Sequence, residues 1–180
     1  VRAMELERKM EEQKRMQRVW KIYEHPLFKE GLAENKEAEK ERKFCHHDMI
    51  HFLDVARLMY LFSMERGYEI EKEEIYAAAL LHDIGKWKQY KAGISHEIAS
   101  AEIAKRILEE TGFTQAESDR ILFAILSHRG KAEESAEEDG KKQFAEILYD
   151  ADKISRACYT CPVEKECNWS SEKKNQKIIW

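Results

Sequence analysis

One segment, Ile75–Leu81, constrains the fold of this chain most. Its residues are apolar or aromatic around nearly the whole circumference of a helix, so we expect a helix buried on most sides. The segment ends abruptly in His82-Asp83, after which Gly85 permits the backbone to turn out of the helix. A buried imidazole beside a buried carboxylate is costly unless both find partners, and a metal ion is a good partner for each. The segment therefore predicts a helical protein with a polar centre in its interior.

The composition supports an all-α fold. The 180 residues suffice for one domain, or for one domain with appendages. A hydrophobic content of 43% provides a core, and 37% charged residues with only 7 Gly and 2 Pro favour long helices with charged surfaces. We expect an all-α helical bundle with an N-terminal helical extension and a short irregular C-terminal tail that contains cysteines.

Hydrophobic periodicity divides the chain into three parts. Residues 1–43 form charged helices interrupted at Pro26, residues 44–156 form the main domain, and residues 157–180 form the tail. We expect Ser95 and Thr114 to cap helices, the second within a capping box with Glu117. The predicted helices of the first two parts cover residues 2–24, 27–43, 44–65, 71–83, 96–111, 114–128 and 144–156, and the predicted loops cover 86–93 and 131–142.

Charge and hydropathy exclude several classes of partner. The net charge is −4 and the pI is about 6.0, which argues against a broad basic surface for a nucleic-acid polymer. No apolar run is long enough to span a bilayer or to serve as a secretory signal. We therefore expect a cytoplasmic protein, in which the four cysteines bind metal or remain free thiols. The charged N-terminal helix leaves a homodimer open, because its narrow apolar stripe could pack on the domain or on a second subunit.

Six imidazole and carboxylate side chains lie at helix ends or on helix core faces. They are His51, His82, Asp83, His96, His128 and Asp152. Helical bundles build metal sites from side chains that converge from several helices. Such a nitrogen-rich set suits Fe, Mn, Zn, Co or Ni better than Ca or Mg. His47 shares a helical face with His51, so a role as ligand, as orienting neighbour or as substrate contact stays open.

Five short segments carry a pattern that covers residues 44–156. They are His-Phe-Leu-Asp-Val-Ala at 51–56, Ala-Leu-Leu-His-Asp-Ile-Gly-Lys at 79–86, Ile-Ser-His-Glu-Ile-Ala-Ser at 94–100, Ile-Leu-Ser-His-Arg at 125–129 and Leu-Tyr-Asp-Ala-Asp-Lys at 148–153. Their order and local context resemble the HD superfamily of metal-dependent phosphohydrolases.

The resemblance implies a two-metal centre. It implies that one divalent transition metal is held by His51, His82, Asp83 and Asp152. The histidines His96 and His128 resemble those of the two-metal subset, in which the motif aspartate, here Asp83, bridges both ions. That subset includes bacterial diadenosine-tetraphosphate hydrolases and cyclic-dinucleotide phosphodiesterases. The Gly-Tyr-Pro segment of the cyclic-di-GMP enzymes does not follow Lys86, so that substrate is not expected.

The activity that the resemblance implies is phosphoryl hydrolysis through a metal-activated water, on a nucleotide or another small phosphate ester. Asp83 then has a catalytic role, and Lys86 and Arg129 are candidate phosphate contacts, with Lys153 as a weaker one. Two alternatives stay open because they would use the same ligands. One is a di-iron oxygenase of the HD type, and the other is a non-catalytic module that senses a nucleotide.

The tail carries a second, separate cysteine pattern outside this resemblance. Cys158 and Cys161 form a Cys-x-x-Cys pair, Pro162 follows, and Cys167 lies nearby. This spacing suits a structural zinc with Cys45 or a histidine as fourth ligand. An iron–sulfur cluster is an alternative, although the spacing is not that of a ferredoxin. Four free thiols packed in a tail are the third interpretation.

Overall fold

The computed structural model describes residues 2–128 and 140–180, and within these ranges all regular structure is helical. The all-α prediction is thus confirmed. The helices are α1 (Arg2–Arg15), α2 (Gln17–Glu24), α3 (Pro26–Ala38), α4 (Met49–Glu65), α5 (Lys72–Leu81), α6 (Lys86–Ala92), α7 (His96–Thr111), α8 (Gln115–Ser127) and α9 (Lys141–Ile154). The tail adds two 3-10 turns, Cys158–Thr160 and Glu164–Glu166. Arg129 and most of the predicted loop at 131–142 lie outside the described residues.

Helix α5 forms the centre of the core. Ile75, Leu80 and Leu81 are fully or almost fully buried, as the apolar circumference of the segment predicts. Helices α2, α4, α7, α8 and α9 all contact α5, so it is enclosed from several sides. Each of these large aliphatic side chains contributes about 1.5–3 kcal/mol by leaving water. Because α5 is anchored by burial, its C-terminal end is held at a defined position inside the bundle.

The N-terminal helices are part of the same core. Val19, Ile22 and Phe28 are buried in one cluster with the residues of α4 and α5. Arg18 fixes α2 to two other helices, because its side chain donates to Glu73 at the start of α5 and to Glu117 in the first turn of α8. The prediction of one continuous helix over residues 2–24 is wrong, since the helix breaks at Met16.

Local capping chemistry explains where two helices begin. Thr114 Oγ1 accepts from Glu117 N while the Glu117 carboxylate accepts from Thr114 N, so the predicted capping box is confirmed. The helix predicted from residue 44 begins only at Met49, because the Asp48 carboxylate accepts from His51 N and caps α4 there. The expected cap by Ser95 is wrong, since Ser95 Oγ donates to the Glu97 carboxylate instead.

The segment after the motif is a helix, where the sequence indicated a loop. Helix α6 packs against α3 and α7. Asn35 of α3 is fully buried; its Oδ1 accepts from Trp87 N at 2.8 Å and its Nδ2 donates to Asp83 O at 2.9 Å. One amide side chain thus satisfies backbone groups on both sides of the turn between α5 and α6. This long-range contact supplies the order that the short segment lacks on its own.

Gly85 is required for close packing rather than for a left-handed turn. Its φ is −96°, which other residues also adopt. A Cβ at this position would lie 2.6 Å from the backbone of Ala99 and Ser100 in α7. Gly85 N donates to Ser100 Oγ at 3.0 Å across the same contact. The backbone does turn out of α5 at residues 82–85, as the sequence indicates, and the missing side chain of Gly85 in addition lets α7 approach.

Candidate metal centre

The structure brings the six predicted ligands together in two overlapping groups. His51, His82, Asp83 and Asp152 each offer an atom such that all four lie within 4.8 Å of one another. Asp83, His96 and His128 form a second group under the same distance. All six residues are buried, and Asp83 belongs to both groups. The arrangement therefore has the form of two adjacent cation sites that share one carboxylate.

Helix ends position these side chains. His51 lies in the first turn of α4, and His96 is the first residue of α7. His82 follows the last residue of α5, His128 follows the last residue of α8, and Asp152 lies in the last turn of α9. Because each helix is anchored by its own buried apolar residues, five elements from distant parts of the sequence converge on one point.

Backbone carbonyls fix the orientation of two imidazoles. His82 Nδ1 donates to Ala79 O at 2.7 Å, and His128 Nδ1 donates to Ile125 O at 2.5 Å. Because a carbonyl only accepts, a proton lies on Nδ1, and in the neutral ring the lone pair is on Nε2. These Nε2 atoms face the same carboxylate, His82 at 3.1 Å and His128 at 3.7 Å from an Asp83 oxygen. This tautomer is the one that binds a metal through Nε2.

Unsatisfied buried atoms indicate that this centre fits a cation. Among the described residues, His82 Nε2 and Asp83 Oδ1 are buried side-chain atoms without a hydrogen-bond partner. Burial alone raises the pKa of Asp83, but His82, His47 and His128 outweigh it, and the pKa lies well below its usual value. A carboxylate that remains charged in the interior is costly unless positive charge lies beside it, and Nε2 of the neutral His82 ring needs a partner as well. A divalent cation between them satisfies both.

The pKa values of the other imidazoles match this interpretation. Burial lowers the pKa of His51 to about 4 and that of His96 to about 3, so both are neutral near pH 7 and able to coordinate. Burial also lowers the pKa of His82, but Asp83 and Asp152 outweigh it and raise the pKa to about 9. In the absence of a metal His82 is therefore protonated near pH 7, and a divalent cation beside the two carboxylates would take the place of that proton.

A buried carboxylate behind His47 was missed by the sequence interpretation. Glu39 accepts from His47 N at 2.8 Å, from His47 Nδ1 at 2.5 Å and from the Tyr90 hydroxyl at 2.8 Å. Burial raises the pKa of Glu39, but the hydrogen bonds from His47 outweigh it and bring the pKa to about 2. His47 Nε2 therefore faces the centre, 3.6 Å from Asp83 Oδ2. Nothing in the local sequence distinguishes Glu39 from the surface acids around it.

Cationic side chains border the centre. Lys86 Nζ lies 3.1 Å from His96 Nδ1, and Lys153 Nζ lies 2.6 Å from Asp152 Oδ2. Arg156 was not singled out from the sequence, yet its Nη2 donates to His51 Nε2 at 3.0 Å and lies 3.7 Å from Asp152 Oδ1. Its position one turn after Asp152 was the available signal. Arg129, the other predicted phosphate contact, lies outside the described residues.

An open cavity of about 650 Å³ leads to this centre. It exposes Asp83, His96, His128 and Asp152 at its base. Its basic lining residues are Arg42, Lys86, Lys153, Arg156, Lys173 and Lys174, and its aromatic ones are Phe44, Tyr149 and Trp169. Apart from Asp83 and Asp152, its acidic lining residues are Glu164 and Glu172. The cavity is therefore suited to an anionic molecule with a planar or apolar part.

Asp54 and Asp150, two acidic residues close to ligands in the sequence, have ordinary partners. Asp150 accepts from Arg66 Nη2 at 2.6 Å, and Asp54 accepts from Arg57 at 3.3 Å, so neither contacts a ligand imidazole here. The four cysteines are free thiols that line the same cavity, and neither ligand group contains one of them. No helix among the described residues combines the length and apolarity that crossing a membrane requires.

Comparison with known proteins agrees with this geometry. The profile of the HD domain family matches residues 48–157. An uncharacterised protein of Clostridium beijerinckii is 47% identical over 149 residues, which covers 83% of this chain and 90% of that protein. No solved structure matches the chain significantly.

More distant relatives are far longer proteins. Ribonuclease Y of Pseudothermotoga lettingae is 36% identical over 83 residues, covering 46% of this chain and 14% of that protein. Ribonuclease Y of Acetivibrio thermocellus is 34% identical over 107 residues, covering 59% of this chain and 17% of that protein. The similarity to these relatives is therefore confined to a small part of each. The family profile spans more than half of the residues and includes all six ligand residues that converge. The chain therefore belongs to the HD-domain superfamily of metal-dependent phosphohydrolases.

Proposed function

We propose that this protein is a phosphohydrolase with a two-metal centre that acts on a small phosphorylated substrate of the nucleotide class. The observation that carries the proposal is the shared carboxylate of Asp83, which joins two buried ligand groups at the base of a basic cavity. Sites of this kind, with two cations about 3.5–4 Å apart, are typical of phosphatases and nucleases. The same shared aspartate supports the likeness to the two-metal subset with its diadenosine-tetraphosphate hydrolases.

The proposed ligands are His51, His82, Asp83 and Asp152 for one ion, and Asp83, His96 and His128 for the other. Bound divalent cations would lower the pKa of water and neutralise charge on the phosphate oxygens. Fe, Mn, Zn, Co and Ni all suit these imidazole and carboxylate donors. Glu39 holds His47 towards Asp83, which favours a role for His47 inside the centre over one as a substrate contact.

The cavity lining supports the choice of substrate. Lys86 and Arg156 lie beside ligand residues, where they can bind the oxygens of a phosphate that reaches the centre. Arginine is the better bidentate partner, so Arg156 joins Lys86 as a candidate phosphate contact. Tyr149 and Trp169 give the wall aromatic surfaces on which a base can stack. A phosphate ester with a planar group therefore fits this cavity better than a bare alkyl phosphate.

The test begins with elemental analysis of protein purified without chelator, followed by a screen of nucleotides and dinucleoside polyphosphates with each metal. We expect phosphate release with at least one substrate. Asp83→Ala or His82→Ala should lower the activity by about 100-fold or more. Each variant should also lose bound metal. The matched control is Asp54→Ala, which removes a carboxylate of α4 paired with Arg57 and should leave both intact.

The rival functions give different outcomes in the same screen. Oxygen uptake coupled to product formation by the iron-loaded protein, with no phosphate released under any metal, would favour the oxygenase. A nucleotide that raises the melting temperature yet survives overnight incubation with manganese or iron would favour the sensing module. Either result would overturn the hydrolase proposal.

A second candidate substrate is RNA, favoured by the likeness to proteins named ribonuclease Y. Both substrates contain phosphate esters, so the same centre could serve either one. A labelled oligoribonucleotide in the screen separates them: cleavage of the oligonucleotide at rates above those for mononucleotides and dinucleotides would favour RNA. The net charge of −4 and the modest cavity favour the smaller substrate.

A further inference from the structure

The four cysteines of the chain come from two separate segments and border one space. Cys45 precedes α4, whereas Cys158, Cys161 and Cys167 belong to the tail after α9. All four line the cavity that leads to Asp83. They are the only cysteines in the 180 residues, and each has a free thiol. The metal centre described above uses none of them.

The tail presents its three thiols on two short turns. Cys158 begins the first 3-10 turn and Cys161 ends it, with Cys161 N donating to Cys158 O at 3.1 Å. Cys167 ends the second turn, with its N donating to Glu164 O at 3.2 Å. Asn175 holds this part of the chain to the end of α9, because its Nδ2 donates to Lys153 O and to Arg156 O at 2.8 Å each. The three thiols are thus carried by an ordered loop rather than by a free terminus.

Two contacts bring the segment of Cys45 against this loop. The Lys43 ammonium pairs with the Glu166 carboxylate at 3.3 Å. Lys43 lies two residues before Cys45, and Glu166 directly precedes Cys167. Arg156 Nη1 donates to His46 O at 3.1 Å, which joins the residue after Cys45 to the start of the tail. The positions on both sides of Cys45 are therefore tied to the positions beside Cys158 and Cys167.

Positive charge lies next to the thiols. Lys174 Nζ donates to Glu164 O and to its carboxylate at 2.8 and 2.9 Å, and it lines the cavity with the cysteines. The hydrogen bond to Glu164 chiefly raises the pKa of Lys174, and Cys167 and Cys158 add smaller contributions of the same sign. Lys174 therefore places positive charge where metal-bound thiolates would carry negative charge.

We propose that Cys45, Cys158, Cys161 and Cys167 hold an iron–sulfur cluster in the wall of the active-site cavity. Neither group of described ligand atoms within 4.8 Å of one another contains a cysteine. Four thiolates on one zinc ion, at about 2.3 Å each, would bring the sulfurs within about 4 Å of one another. In a [4Fe–4S] cluster each thiolate binds a different iron, so the cysteine sulfurs lie farther apart than they do around a single ion. No three of the four described sulfurs lie within 4.8 Å of one another, which favours the wider geometry of a cluster over the single zinc ion that the sequence alone suggested.

The cluster would cross-link two edges of the cavity. One thiolate comes from the segment before α4 and three come from the tail, so loading joins elements that are otherwise tied by two polar contacts. The inference does not depend on the hydrolase proposal, since none of the four cysteines belongs to the ligand groups around Asp83.

The test uses the full chain purified without oxygen, then reconstituted with ferric iron, inorganic sulfide and dithiothreitol, which reduces part of the iron so that the cluster receives both ferric and ferrous ions. We expect acid-labile sulfide and iron beyond that of the Asp83 centre, with a visible absorption that bleaches on reduction by dithionite. Cys45→Ser and Cys161→Ser should each lose most of the sulfide and the absorption. Acid-labile sulfide reports the cluster alone, because the histidine and aspartate centre would bind iron without it.

Two controls separate this site from the other centre. Ser171→Ala changes an exposed residue of the same tail and should keep the full sulfide content. His82→Ala should lose iron from the first centre and keep its sulfide. Absence of sulfide after reconstitution of the unmodified protein would overturn the proposal, and so would one zinc ion per chain that is lost in both cysteine variants. Sulfide retained in both variants would overturn it as well, and circular dichroism verifies that each variant is folded.

Discussion

At the scale of single residues, the property that distinguishes this centre is the fixed direction of its donor atoms. The Nδ1 atoms of His82 and His128 each donate to a carbonyl three residues earlier, so their Nε2 atoms face inward before any ion arrives. Glu39 does the same for His47 through a side chain. Donors held in this way lose little freedom on binding, which favours tight coordination.

The second ligand group gives a residue-scale prediction. His128→Ala should lose about one equivalent of bound metal, because His128 belongs only to the group with Asp83 and His96. The measurement is metal content per chain by elemental analysis after loading with manganese. His25→Asn is the matched control, since asparagine retains the capping of α3 that His25 provides and lies away from the centre. Unchanged stoichiometry in His128→Ala would restrict the centre to one ion.

At the scale of elements, the centre depends on how closely helix ends approach one another. The turn that carries His82 and Asp83 lies against α7, and Gly85 has no side chain at the contact. Asn35 of α3 then binds both Asp83 O and Trp87 N, which fixes the start of α6. Small changes in this packing would move donor atoms of two helices relative to each other.

Gly85→Ala tests this packing directly. The added Cβ would lie 2.6 Å from backbone atoms of Ala99 and Ser100, so the helices must shift. We expect a loss of about 1–3 kcal/mol in the free energy of unfolding, measured by urea titration, together with weaker metal binding. The exposed substitution Ala92→Ser at the end of α6 should change the stability by less than about 0.5 kcal/mol. Equal stabilities for the two variants would show that α7 does not pack this closely.

At the scale of the whole molecule, the centre places charged and polar groups in the middle of the core. The helices that enclose α5 come from both ends of the chain, including α2 near the N-terminus and α9 before the tail. Apolar burial must offset the cost of keeping Asp83 and Asp152 charged in the interior. A bound cation removes part of that cost only in the folded state.

Metal should therefore stabilise the fold. At free manganese about 100-fold above its dissociation constant, the gain is about 2.7 kcal/mol. For a chain of this size we expect the melting temperature to rise by roughly 5–10 °C relative to protein with excess chelator. Manganese is the informative ion because thiolates bind it poorly, so the cysteines contribute little to the shift. The His82→Ala variant should show no comparable rise, and an equal rise in that variant would place the stabilising ion elsewhere.

The linear pattern was sufficient for features that depend on neighbours in the chain. The apolar circumference of Ile75–Leu81 predicted a buried helix, and the spacing of Thr114 and Glu117 predicted a capping box, because both depend on residues within one or two turns. The motif segments also identified the six side chains that the structure brings together, although their binding of ions stays a prediction.

Other features were decided only when the helices packed. Glu39 orients His47 across 8 residues of sequence, Arg156 reaches His51 across 105, and Asn35 orders the start of α6 across 52. Nothing in a local window distinguishes these residues from ordinary surface groups. The helix at 86–92 and the close packing at Gly85 were not predicted either, because both depend on contacts between distant helices. Periodicity reports which face of a helix is buried, whereas only the tertiary structure determines which distant atoms that face meets.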